Sequence, residues 1–301
     1  MSAETSAETS AAVLRFLYRG PLESCNYGCV YCPFAKKVDS RADLAKDRVE
    51  LERFVAWVTQ RTTDRVGILV TPWGEALIRR WYQDALVALT HLPHVERAAI
   101  QTNLSCDLSW ARRAEPSKLA LWATYHPEWT NHASFLEKVR HLRELGVSVS
   151  CGVVGFRRFA DVIDRLRDEL PADVYLWINA AKREETYEAS DIARFERIDP
   201  LFAINTKSHP SLGRSCRAGA SVVSVDGDGD VRRCHFVDEV IGNLFDGTFD
   251  ASLRERPCPN ATCGCHIGYV HLDDLDLYRT FGANILERIP AAPVRRLSVL
   301  S

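Results

Sequence analysis

Short apolar β-like runs that alternate with amphipathic helical ones predict an α/β fold with a parallel sheet. Strands separated by helices imply parallel pairing through right-handed crossovers. Six such strands fall between Val13 and about Ala181 of the 301-residue chain. Six are too few for a closed eight-stranded barrel, so the count fits a partial (β/α)6 barrel, TIM-like but open on one side. Beyond Asp199-Pro200 the helical periodicity fades and cysteines become dense, which predicts a small cysteine-rich C-terminal domain.

The predicted strands run over 13–18, 66–71, 98–102, 119–125, 147–154 and 174–179, with helices over 51–59, 76–90, 108–114, 132–145 and 159–170. Asn131 is an N-cap and Gly146 a left-handed stop for the fourth of these helices. Val222–Val225 followed by Asp226-Gly227-Asp228-Gly229 reads as a β-hairpin, because such pairs supply the positive φ angles its turn requires. A last helix is expected over 275–288, with Tyr278, Phe281 and Ile285 on one face docking on the barrel. The expected organisation is a disordered tail over 1–12, a barrel over 13–200, a C-terminal cysteine domain over 201–272, and a helix and loose tail over 273–301.

Composition narrows the function. The chain is 46% hydrophobic and 26% charged with a formal net charge of −2, an ordinary globular mixture without a basic field for nucleic acid. No apolar run reaches membrane-spanning length, and the polar N-terminal repeat has no signal-peptide character. The expected compartment is the cytoplasm, where the ten cysteines stay reduced and available to metal. The sequence leaves oligomeric state open.

The chemistry concentrates at Cys25, Cys29 and Cys32, spaced C-x3-C-x2-C on the loop after the first strand. Three thiolates supply no fourth ligand. A structural zinc site takes four, as an iron–sulfur cluster normally does, and a [4Fe–4S] cluster held by three leaves one iron open to a small molecule. Half a zinc site completed by a distant His or Cys, or disulfide partners, are the alternatives at this point.

This spacing, with Tyr31 just before the last cysteine, resembles the signature of the radical S-adenosylmethionine (SAM) superfamily, and the resemblance extends from about Val13 to about Tyr269. It implies the partial barrel, a SAM-binding [4Fe–4S] cluster on Cys25, Cys29 and Cys32, and SAM as cofactor. It also implies a flavodoxin- or ferredoxin-type electron donor.

Further site residues follow from the same resemblance. Trp73-Gly74-Glu75-Ala76 is similar to a Gly-Gly-Glu-Pro segment that holds the methionyl amino group, with Trp73 and Ala76 departing from it and Gly74 and Glu75 matching. The alternative is a carboxylate favouring a helix N-terminus. Thr102-Asn103 is similar to a Thr-Asn pair near the cofactor, and Asn103 and Asn179 become ribose candidates, or turn residues. His126 is a candidate contact to substrate or to the SAM carboxylate, and residues 151–155 are similar to a Gly-rich segment beside adenine. Cys106 and Cys151 read as small apolar residues.

A second pattern, Cys216-x12-Gly229-x4-Cys234 followed by Cys258-x4-Cys263-Gly-Cys265-His266, resembles the SPASM and shorter twitch extensions. These place an auxiliary [4Fe–4S] cluster on hairpin and downstream cysteines. The expected ligands are Cys216, Cys234 and two of Cys258, Cys263 and Cys265. Structural zinc, with His235 or His266, is the alternative.

The implied activity is reductive cleavage of SAM to a radical that abstracts hydrogen from a peptide, protein or small-molecule substrate. Rival readings are a small-alcohol or aminocyclitol dehydrogenase within the same superfamily, and a non-catalytic zinc-stabilised binding module.

Overall fold

A computed structural model describes residues 13–35 and 37–292. The expected N-terminal tail, and the last nine residues of the expected C-terminal one, lie outside these. Strand β1 (Leu14–Arg19) leads through the cysteine loop to helix α1 (Arg41–Gln60), then to β2 (Val66–Val70), α2 (Arg80–Thr90) and β3 (Val95–Thr102). After a 3-10 turn at Ser109–Arg113 come β4 (Leu119–Tyr125), α3 (His132–Glu144), β5 (Ser148–Val154), α4 (Ala160–Glu169) and β6 (Leu176–Asn179).

Strands β1 to β6 pair in order and all in parallel. Alternate residues face opposite sides of each strand, and the two sides have different partners. Phe16, Ile68, Ile100, Leu121 and Ile178 point to the layer of helices, where Phe54, Leu86, Val139 and Ile163 cover them. Leu17, Leu69, Ala99, Trp122 and Trp177 point the other way, onto Tyr269, Leu277, Phe281 and Ile285 of the C-terminal segment. Trp177 lies so close to β5 that a Cβ on Gly152 would fall 2.0 Å from its ring.

Helix α1 begins ten residues before the expected 51, because Ser40 and Asp43 form a reciprocal capping box. Helix α2 begins at 80 rather than 76, because residues 76–79 form a turn whose Leu77 N–H is taken by the Glu75 carboxylate at 3.0 Å. Asn131 caps α3 through Ser134 N at 3.0 Å, and Gly146 takes φ 78° beyond its end. Both are as expected.

After β6 come α5 (Ala189–Glu196), α6 (Phe202–Asn205), β7 (His209–Pro210), β8 (Val222–Asp226), β9 (Asp230–Arg232), β10 (Val240–Asn243) and α7 (Phe249–Ser252). The chain then forms β11 (Thr262–Cys263), α8 (His266–Tyr269) and α9 (Leu277–Phe281). The hairpin β8–β9 turns at Asp226–Gly229 as expected, with Gly229 at φ 84°. Residues from 201 on, expected as a domain of their own, are joined to the barrel through its sheet. Strand β8 pairs in parallel with β1, giving nine strands in the order β10-β9-β8-β1-β2-β3-β4-β5-β6. The edges β10 and β6 do not pair with each other, so the sheet is open.

The single helix expected over 275–288 is broken into a 3-10 turn, α9 and a second 3-10 turn. Asp276 (φ 46°) and Gly282 (φ 56°) take left-handed conformations that a continuous helix cannot contain. Docking survives the break, since Leu277, Phe281 and Ile285 are buried against the sheet.

Candidate functional site

The C-terminal ends of β1 to β4 open onto a cavity of about 180 Å³, lined by Cys25, Cys29, Cys32, Gly74, Glu75, Thr102, Asn103 and His126 among others. The sheet therefore gathers residues that the sequence spreads over a hundred positions. No disulfide joins any of the ten cysteines, which removes the disulfide alternative.

The cysteine loop is tied down at both ends. Its entry is clamped by Asp39, whose carboxylate accepts from Ser24 N (2.8 Å), Ser24 Oγ (2.6 Å) and Glu23 N (3.1 Å). The loop also pairs with the segment after β2: Gly74 N donates to Leu22 O at 3.3 Å and Glu75 N to Ser24 O at 3.1 Å. A Cβ on Gly74 would lie 1.9 Å from the Ser24 carbonyl oxygen, backbone against backbone, so only glycine permits this approach. Gly74→Ala is expected to part the two loops, cost about 1–3 kcal/mol, and lower the iron retained on Cys25, Cys29 and Cys32. Metal analysis beside a denaturant titration checks both.

Glu75 is 3% exposed, and its oxygens accept from Thr102 Oγ1 (2.7 Å), Leu77 N (3.0 Å) and Asn103 N (2.6 Å). Burial raises its pKa, opposed by these hydrogen bonds. The carboxylate thus holds the β3 loop against the β2 loop, and the lone pair left on Oε2 is its capacity for a ligand cation. Loss of this carboxylate therefore reaches the fold as well as the ligand. Glu75→Ala leaves three buried donors without an acceptor, each costing about 1–3 kcal/mol. Glu75→Gln, which keeps an acceptor oxygen, is expected to retain more stability yet bind SAM about ten- to a hundredfold more weakly, as loss of a charged hydrogen bond implies. Calorimetry and urea unfolding on both variants separate the two contributions.

Asn103 turns toward the cysteine loop. Its Nδ2 lies 3.1 Å from Asn26 Oδ1 and 3.7 Å from Cys25 Sγ, and its Oδ1 accepts from Ser105 N at 2.9 Å. Leu104 next to it has φ 57°, a strained conformation for a branched side chain, and Lys138 Nζ holds its carbonyl at 2.9 Å. Tyr31 OH lies 2.9 Å from His126 Nδ1, and Cys29 Sγ lies 3.4 Å from the same nitrogen. Burial pushes the His126 pKa down to about 4, so the ring is neutral at pH 7. Asn179 is not part of this cavity; its side chain lies 3.4 Å from Asn205 Nδ2 at the end of β6. Cys106 and Cys151 are buried in the main apolar core, as the sequence suggests.

Sequence reasoning passed over Arg19. Its guanidinium stacks 3.9 Å over the Trp73 ring, and its Nε donates to Thr71 O at 2.7 Å, at the rim of the cavity. A charged residue ending an apolar strand was the available signal.

The C-terminal cysteines assemble beside the hairpin. The thiols of Cys216, Cys234, Cys258 and Cys265 all act electrostatically on Cys263, whose pKa burial pushes up to about 12. Cys265 is exposed as a residue, yet its thiol is enclosed: burial raises its pKa, opposed by the Ile267 N–H and the charges of Arg19, Lys182 and Arg288. His235 spends both ring nitrogens on Thr71 Oγ1, at 2.9 Å, and Ser224 Oγ, while His266 is packed among Trp122, Tyr269 and Phe281. Neither histidine is disposed toward the cysteines as a zinc ligand. Among the described residues, no three Cys, His, Asp or Glu side chains already stand in metal-binding geometry.

Neither a protein-family model nor a curated protein matches the chain. Solved structures do. Native anSMEcpe with bound AdoMet aligns with a TM-score of 0.51 at 17% identity, over 78% of this chain and 80% of that one. A histidine-tagged form of anSMEcpe with bound AdoMet gives 0.50 at 16%, over 79% of each chain. BtrN in complex with AdoMet and 2-DOIA gives 0.36 at 15%, over 80% of this chain and 82% of that one, too distant to add to the comparison. Both anSMEcpe structures hold AdoMet, and this chain shares their fold. Among the described residues no helix is long and apolar enough to cross a membrane.

Proposed function

We propose that this chain is a radical SAM enzyme. The observation that carries the reading is that Cys25, Cys29 and Cys32 line one cavity with Gly74, Glu75, Thr102 and Asn103, at the C-terminal ends of parallel strands. Three thiols beside a mostly apolar cavity with a carboxylate and an amide on its wall fit a cluster with one open iron and a bound SAM. When bound, that cluster would supply one electron to the SAM sulfonium, yielding methionine and a 5′-deoxyadenosyl radical that takes hydrogen from substrate.

The chain's own residues orient and exclude. Cys25, Cys29 and Cys32 would hold the cluster, Glu75 Oε2 would accept a hydrogen bond from the SAM ammonium, and Thr102 and Asn103 fix the β3 loop. Asn103 Nδ2, 3.7 Å from Cys25 Sγ, donates toward that sulfur, and such hydrogen bonds tune a cluster's potential. Neutral His126 holds Tyr31 beside Cys29, and Trp73 and Phe34, 4.9 Å apart, cover the rim. Asn179, at the end of β6, is the proposed contact to a ribose or substrate reaching beyond the cavity.

Cys216, Cys234, Cys258 and Cys263 are the proposed ligands of an auxiliary cluster, leaving exposed Cys265 aside. A peptide, protein or small molecule is the proposed substrate class, and a flavodoxin- or ferredoxin-type protein the proposed electron donor. Anaerobic purification tests the metal assignment directly. A brown protein with acid-labile sulfide supports it, and a colourless protein carrying zinc rejects it.

A further inference from the structure

Strand β9 runs out into Arg233-Cys234, and Arg233 is 3% exposed. Its Nη1 donates to the carbonyl of Pro257, the residue before Cys258, its Nε and Nη2 meet no well-aligned acceptor, and the guanidinium reaches the Cys216 thiol. Its charge acts on the Cys216 and Cys234 thiols. No carboxylate pairs with it among the described residues, although the neighbouring Arg232 pairs with both Asp226 and Asp230. A Cβ on Gly219 (φ 93°) would meet the Arg233 Cβ at 3.0 Å, so the backbone is packed around this side chain.

An arginine buried without a counter-charge costs several kcal/mol by order of magnitude. Arginine does not lose its proton, so the fold must supply negative charge instead. Neutral thiols supply none. Thiolates do, and cysteines become thiolates when they bind metal.

We infer that Arg233 is the internal counter-ion of a metal–thiolate centre formed by Cys216, Cys234, Cys258 and Cys263. The inference rests on the auxiliary-cluster reading above and adds to it a residue that sets the centre's charge. Four thiolates around an oxidised [4Fe–4S] core leave the assembly doubly negative, and one-electron reduction adds a third negative charge. A buried cation beside the sulfurs favours the reduced form more than the oxidised one. It therefore raises the reduction potential, as local charge and hydrogen bonds to sulfur do in such centres. The Nε–H and Nη2–H, which meet no well-aligned acceptor, are the donors available for those sulfur contacts.

The test uses full-length chain in which Cys25, Cys29 and Cys32 are Ala, so that any remaining iron belongs to the C-terminal centre. Reconstituted protein is titrated with reductant and followed by electron paramagnetic resonance. Arg233→Met keeps the aliphatic stem and removes the charge, and Arg233→Lys keeps the charge. The Met variant is expected to lower the equilibrium constant for reduction at least tenfold, about 59 mV for a one-electron couple, and the Lys variant to recover most of it. A Met variant that retains its iron at the parent potential overturns the inference.

Should the Met variant lose its iron, the Lys variant decides. Iron retained near the parent potential supports a charge role, and iron lost from both assigns Arg233 to packing and overturns it. A parent protein with no iron at the C-terminal cysteines instead removes the auxiliary-cluster reading itself, an outcome visible before any Arg233 variant is made.

Discussion

Replacing Cys25, Cys29 and Cys32 together with Ala is expected to remove about four iron atoms per chain, one cubane's content, and to abolish SAM cleavage. The fold should persist. The loop would lose its thiol contacts to Asn103 and His126, but the ties of Asp39 to Ser24 and of Gly74 and Glu75 to the backbone of residues 22–24 use no thiol and remain. The apolar layers on both faces of the sheet are likewise independent of the loop's sulfurs. Iron analysis, circular dichroism and product assay on one preparation check the three statements. Iron retained at the wild-type level would move the cluster elsewhere, and undiminished SAM cleavage would detach the cysteines from the reaction.

Converting Cys216 and Cys234 to Ala is expected to remove a second cluster's iron and stop product formation while leaving SAM cleavage without substrate intact. The structure limits how far the damage spreads. Strand β8 pairs with β1 over residues 222–226, and Val223, Val225 and Val231 belong to the barrel's main core. The hairpin should therefore stay folded without metal. Loosening should be confined to the segments carrying the cysteines, about 211–219, 233–239 and 254–265, where few backbone groups join a ladder. Hydrogen exchange locates the effect. Protection lost throughout β8 and β9 would contradict the placement of their valines, and normal product from a variant lacking the second cluster would reduce the region to a structural role.

The alternation of strands and helices was legible because buried strands and amphipathic helices carry different periods, and all six parallel strands lie where the sequence puts them within a few residues. Helix α5 was not legible: only Phe195 among its residues is buried, so no apolar stripe marks it. The first half of α1 is charged and was announced only by Ser40 and Asp43. The break in the last helix turns on Asp276 and Gly282, and the hydrophobic spacing of Tyr278, Phe281 and Ile285 hides it.

At the candidate site, cysteine spacing is local and therefore readable. The partners of Glu75 are not, since Thr102 and Asn103 lie 27 and 28 residues away and meet it only through the pairing of β2 with β3. The same holds for Arg233, whose neighbour Pro257 is 24 residues distant.

The most direct test of the central reading is 5′-deoxyadenosine formation by anaerobically reconstituted wild-type protein given SAM and a strong reductant, with the Cys25/Cys29/Cys32→Ala protein as control. The account predicts 5′-deoxyadenosine and methionine in equal amounts from the wild type and neither from the control. A reconstituted wild type that holds its iron and sulfide yet forms no 5′-deoxyadenosine above the control would contradict it.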